Sequence, residues 1–145
     1  MNAMLEEYMH KSYAKHFIIG FEYNKVIYMF ITNNYKVFEA ITREEQSSRN
    51  QGKALRLRLK KHDKGFLVNN AIALCTKAKF NEEYENSKYN RGEIFEKLVF
   101  ENYGFRWFKN NEKFSKTGDI SIKDIAYQIK YQNATITNEK ILSHT

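Results

Sequence analysis

Two residues are too few to carry a chain anywhere but straight back beside itself, and near the N-terminus that is twice all the sequence allows. The β-rich runs Phe17 to Tyr23, Val26 to Thr32 and Tyr35 to Ile41 are separated only by Asn24-Lys25 and Asn33-Asn34. Connections this short join strands as antiparallel hairpins, so the spacing predicts a three-strand antiparallel meander. The 145 residues include no proline, so turns must be built from Asn, Asp and Gly. Asp63-Lys64-Gly65 is a third candidate turn.

Other segments carry local signals. Met4, Leu5, Tyr8 and Met9 recur at helical spacing within residues 3–15, predicting a short amphipathic helix. Thr42 followed three residues later by Glu45 has the form of a capping box, predicting a helix that weakens before Gly52. Leu55 to Lys60 alternates apolar and basic residues, and as a strand it would put Arg56, Arg58 and Lys60 on one face. As a helix it would form no such stripe, and as a solvated edge its charges would only discourage strand pairing. Residues 66–80 are apolar and fit strand or helix. Residues 92–103 read as a helix with Ile94, Phe95, Leu98 and Val99 on one face, ended by Tyr103-Gly104-Phe105. Strands are expected at Phe105 to Lys109, Asp119 to Ile122 and Ile125 to Tyr131, and a short helix around Thr137 to Leu142.

Composition excludes several classes. Among the residues 42% are apolar and 15% aromatic, enough to bury a core and too many for a disordered basic tail. One cysteine, Cys75, supports neither an internal disulfide nor a thiolate zinc site, and its apolar surroundings predict a buried, inert thiol. His10, His16, His62 and His144 show no ligand spacing. The longest apolar run, Val26 to Ile31, falls far short of a membrane-spanning helix, and the acidic start at Glu6 and Glu7 lacks the form of a signal peptide. A cytoplasmic protein with no membrane partner is expected. The formal net charge of +7 favours a polyanionic partner. Residues 43–64 alone hold eight Lys or Arg against three acids, and Arg56, Arg58, Lys60 and Lys61 are the expected nucleic-acid-binding residues.

The chemistry sits near the C-terminal end. If Lys123-Asp124 is a two-residue turn, Ile120, Ile122, Ile125, Tyr127 and Ile129 share one apolar face, while Asp119, Ser121, Ala126, Gln128 and Lys130 share the other. A three-residue loop with a bulge would break that parity. A carboxylate, an amide and an ammonium would thus stand together toward an open groove. Phosphodiester hydrolysis wants such a set: Mg²⁺ is held by one or two carboxylates plus neutral oxygens and lowers the pKa of an attacking water. Asp119 would be the central ligand, the Gln128 side-chain oxygen and the Ile129 carbonyl would add neutral oxygens, and Lys130 would stabilise transition-state charge. A second carboxylate would come from Glu93 or Glu96 on the preceding helix. The plainer alternatives are a cross-strand ion pair of Asp119 with Lys130, and acids that only complement the helix dipole.

At these residues the sequence resembles the PD-(D/E)XK nuclease superfamily, and within it the Mrr-type restriction endonucleases and resolvase-like proteins. The resemblance runs through Gly92-Glu93-Ile94-Phe95-Glu96-Lys97-Leu98-Val99, Tyr103-Gly104-Phe105, Thr117-Gly118-Asp119-Ile120 and Tyr127-Gln128-Ile129-Lys130, covering about residues 91–132. It implies catalytic roles for Asp119, Gln128, Lys130 and Glu96, with Glu93 in reserve. It also implies a Mg²⁺ cofactor, with Mn²⁺ as a substitute, and cleavage of DNA, with RNA left open as a substrate. Gln128 stands where the family usually has an acid, which removes a negative charge from the metal shell. Only 15 residues follow Lys130, short for the helix and strand that usually complete such a core.

The expected fold is α/β or α+β: a mixed central sheet flanked by helices, restriction-endonuclease-like, with the N-terminal meander added. Residues 1–145 form one domain, with 1–90 a β-rich, basic elaboration and 91–145 the nuclease-like core motif. Duplex cleavage needs two active sites, so a homodimer is expected. The rivals are a non-catalytic nucleic-acid-binding or inhibitory protein, which binds DNA in EDTA without nicking it, and a protein-interaction module, which shows no salt-sensitive DNA binding.

Overall fold

A computed structural model describes residues 16–33, 37, 42–46, 53–108, 119–133 and 135–136. The expected helices at 3–15 and 137–142 lie outside the described residues.

The two-residue turns Asn24-Lys25 and Lys123-Asp124 close hairpins, while no strand is described in the run Tyr35 to Ile41 that follows Asn33-Asn34. β1 (His16–Tyr23) and β2 (Val26–Thr32) pair antiparallel with Tyr23 opposite Val26. Asn24 and Lys25 both take positive φ, 49° and 66°, the mirror-image turn whose twist matches paired strands. The meander ends there. Of the third run only Val37 is described, and it is helical. The free edge of β2 is taken instead by β5 (Ile72–Thr76), antiparallel, with a bulge between Ile27 and Tyr28. The apolar stretch 66–80 therefore divides among the end of one helix, a 3-10 turn, this edge strand and the start of another helix.

The sheet runs in the order β5-β2-β1-β7-β6, with β6 at Ile120–Ile122 and β7 at Ile125–Tyr131. β1 and β7 are parallel, Phe17 opposite Gln128 and Ile19 opposite Lys130, while the other pairs are antiparallel. The sheet is thus mixed, as expected. Its central strand comes from the first 90 residues, so those residues are built into the sheet that carries the C-terminal motif rather than appended to it.

A second sheet joins β3 (Thr42–Gln46), β4 (Lys53–Leu57) and β8 (Thr135–Ile136) in the order β3-β4-β8. The helix expected from Thr42 and Glu45 is therefore a strand. A capping box contributes about 1 kcal/mol, and pairing Thr42 to Gln46 against Lys53 to Leu57 overrides it. The basic run Leu55 to Lys60 is a strand only to Leu57; Lys60 precedes α1 (Lys61–Leu67), its N–H donating to Asp63 Oδ2 at 3.0 Å. The expected stripe of Arg56, Arg58 and Lys60 on one strand face does not form.

α2 (Lys77–Glu85) and α3 (Arg91–Asn102) complete the described elements, together with a 3-10 turn at Val68–Asn70. α3 fits its expected span and is strongly delimited. Asn90 Oδ1 accepts from the Glu93 N–H at 2.8 Å while the Asn90 N–H donates back to Glu93 Oε1 at 3.1 Å. At the other end Gly104 takes φ +75°, its N–H donates to the Glu101 carbonyl, and the Phe105 N–H donates to that of Phe100, a closing motif that favours glycine. The strand expected at Phe105 to Lys109 is absent over 105–108, where the chain is irregular.

Strand alternation sorts the core into two clusters. On one face of the sheet Ile18, Ile120 and Ile129 pack with Ile94, Phe95, Leu98 and Val99 of α3. Gly20 lies directly beneath Phe95, whose ring a Cβ there would overlap. On the other face Phe17, Ile19 and Phe21 pack with Leu57 and with Leu67 of α1.

Candidate active site

The β6–β7 hairpin has the register that its two-residue turn predicts. Lys123 and Asp124 take φ of 51° and 67°, and Ile122, Ser121 and Ile120 stand opposite Ile125, Ala126 and Tyr127. The apolar face meets α3: Ile120 and Ile129 are buried and Tyr127 packs against them, while Ile125 at the turn is exposed. The polar face is where expectation and structure part. Gln128 is only 1% exposed, because its face of β7 adjoins Phe17 and Ile19 of β1 and is itself covered by the second core cluster. The groove expected to be open is closed at Gln128, and Lys130 is half-buried.

Asp119 precedes β6 and is also buried. Its N–H donates to the Tyr127 carbonyl at 2.9 Å, and its Oδ2 accepts from the Ile129 N–H at 2.7 Å. In a hairpin of this register the N–H and C=O of Tyr127 and Ile129 point toward β6, while those of Gln128 and Lys130 point toward β1. The Gln132 N–H donating to the Gly20 carbonyl fits that alternation. β6 begins at Ile120, so the Asp119 carboxylate occupies the position where the next rung of the ladder would offer a carbonyl. It lies at the sheet edge against the β7 backbone, beside the direction taken by the Ile129 carbonyl.

Neither the amide oxygen nor the amide nitrogen of Gln128 has a hydrogen-bond partner among the described residues, and both atoms are sealed from solvent. Leaving such groups unsatisfied costs about 1–3 kcal/mol each, so a purely structural role explains Gln128 poorly.

Glu96 is buried too, but α3 packs on the Ile18–Ile129 face, opposite the one carrying Gln128 and Lys130. Glu93 spends its carboxylate on the cap of α3. The structure therefore ties Asp119 to the β7 backbone at Ile129, the residue between Gln128 and Lys130, while α3, which carries Glu96, packs on the face away from Gln128. No group of three or more His, Cys, Asp or Glu side chains among the described residues is arranged to hold a metal ion. A hard cation here would rest on the Asp119 carboxylate, Gln128 Oε1 and the Ile129 carbonyl, an all-oxygen set suited to Mg²⁺. The buried amide oxygen lacking a donor is the observation that fits such an ion.

The expected nucleic-acid residues fall on three successive stretches of chain. Arg56 lies in β4 opposite Arg43 and Thr135, Arg58 and Lys60 follow the strand as exposed residues, and Lys61 opens α1. Cys75 is half-buried rather than buried; burial pushes its thiol up, with Lys79 opposing. His62 is exposed, and His16 packs edge-on against Tyr127. No helix among the described residues is long and apolar enough to cross a membrane. Comparison with protein-family models, curated proteins and solved structures gives no match to this chain.

Proposed function

We propose that the protein is a metal-dependent endonuclease that hydrolyses DNA phosphodiester bonds, on a core of the PD-(D/E)XK type. The observation that carries this is Gln128: a fully buried amide, unsatisfied among the described residues, one residue from the backbone N–H that fixes Asp119. The order of helix, Asp-bearing strand and Gln-x-Lys strand supports it, as does the mixed sheet in which β1 supplies a parallel neighbour to β7. A bound Mg²⁺ would polarise the phosphoryl group and lower the pKa of the attacking water. Asp119, held by the Ile129 N–H, and Gln128 would hold the ion through oxygens; Lys130 would offer positive charge where negative charge develops on the phosphate; Glu96 would assist. Duplex cleavage by this site calls for a homodimer, and a cytoplasmic setting suits such a substrate.

A second reading has its own support. Asp119 has one oxygen engaged by the backbone, and Glu96 approaches from the opposite face, which suits a nucleic-acid-binding protein that does not cleave. Incubating plasmid with Mg²⁺ or Mn²⁺ separates the two. The nuclease converts supercoiled DNA to nicked and linear forms, and Asp119→Ala or Lys130→Ala lowers the rate by orders of magnitude. Cleavage that persists in both variants overturns the site. A retarded but uncut plasmid, with or without EDTA, favours the binder.

A further inference from the structure

The structure also brings Lys25, distant in sequence, beside Lys61 and Lys64 of the basic segment. At the C-terminal end of β1, the turn into β2 and the first turn of α1 enclose a cleft of about 390 Å³ lined by Glu22, Tyr23, Asn24, Lys25, Lys61 and Lys64. Its one acid is already engaged, since Glu22 Oε1 lies 2.9 Å from Lys77 Nζ. The nearest acid on α1, Asp63, is turned onto the Lys60 N–H. Among the described residues no carboxylate pairs with Lys25, Lys61 or Lys64. Three lysines therefore line one concave surface with no paired carboxylate among the described residues, beside the hydroxyl of Tyr23, which stands against Gly65 of α1.

We infer that this cleft seats the phosphate backbone of a nucleic acid, with Lys25, Lys61 and Lys64 as its phosphate contacts. Ammonium groups around a cleft match phosphates spaced along a strand, and their gain comes from releasing condensed counterions. Position favours the same partner. Tyr23 projects from the face of β1 that carries Phe17 and Ile19, Ile19 is the neighbour of Lys130, and α1 packs on that face. From Ile19 to Tyr23 is roughly 13 Å at the rise of a strand, so the cleft lies close to the Lys130 end of β7 along the sheet. The inference rests on nucleic acid being the partner and not on cleavage.

The test measures affinity for a short labelled DNA duplex in EDTA, over a series of KCl concentrations, so that hydrolysis plays no part. The triple variant Lys25→Asn, Lys61→Gln, Lys64→Gln is compared with Lys123→Asn, which removes a lysine from the β6–β7 turn at the other end of the sheet. The variants' thermal transitions are recorded alongside to confirm that they fold. The triple variant lowers the slope of log K against log salt by about 2 to 3 and weakens binding roughly tenfold or more at low salt, while Lys123→Asn changes neither by as much as half. An unchanged slope in the folded triple variant overturns the inference. So does a loss of binding to anionic phospholipid vesicles with DNA binding intact, which would mark a membrane-facing surface. Loss of plasmid nicking in Asp119→Ala with the salt slope kept leaves the cleft standing, and an unchanged slope in the triple variant with wild-type nicking intact overturns the cleft and leaves the catalytic site standing.

Discussion

The position of Gln128 on β7 and its surroundings are decided by different parts of the chain. Its parity on β7 follows from a two-residue turn, but its burial follows from Phe17 and Ile19 on a strand distant in sequence. If its amide is retained for function, Gln128→Met, similar in shape and without hydrogen-bonding groups, should stabilise the fold by about 1 kcal/mol while lowering DNA nicking. Denaturant midpoints and nicking rates measured together check this, and a destabilised variant would mean the amide is satisfied within the fold. Tyr131 gives a pH-dependent counterpart. Burial first, then the charge of Glu22, pushes its phenol up to about 12, against Arg91. The folded state then keeps a proton that the unfolded chain loses near pH 10. That contribution to stability is complete below pH 10 and is lost as pH rises from 10 toward 12. Melting temperatures recorded across that interval should fall less steeply for Tyr131→Phe than for the wild type.

Elements differ in how far local chemistry fixes them. α3 carries a reciprocal cap at Asn90 and Glu93, a closing glycine at Gly104 and an apolar stripe that matches its buried face. Each of those signals lies within a few residues of the helix it defines, which is why its span was legible. Removing the cap in Asn90→Ala should cost about 1 kcal/mol, read as a lower denaturant midpoint with unchanged slope. β3 is the contrary case. Thr42 and Glu45 have a helix-capping pattern, yet the segment pairs with Lys53 to Leu57 and so is a strand. The basic alternation at Leu55 to Lys60 likewise stops where the chain turns into α1.

For the molecule as a whole, the decisive contact is β1 lying between β2 and β7. Without β1, β7 would lose a neighbour along most of its length, and α3 would lose Ile18 from the core beneath it. A fragment beginning at residue 91 should therefore show no cooperative thermal transition by circular dichroism, whereas the full chain unfolds in one. A cooperative transition in the fragment would mean that the helix and hairpin form a core unaided.

Turn length and alternation by themselves determined both hairpins, the two faces of β6–β7 and the helix that covers one of them, because those relations link residues close in sequence and are decided by backbone sterics and a period of two. What only the tertiary structure decided was the strand beside β7, the covering of Gln128, the side from which Glu96 approaches and the gathering of Lys25 with Lys61 and Lys64. Pairs such as Phe17 with Gln128 lie more than a hundred residues apart. Bringing them together costs loop-closure entropy that no local pattern reports, and it is repaid only by burial of the whole sheet.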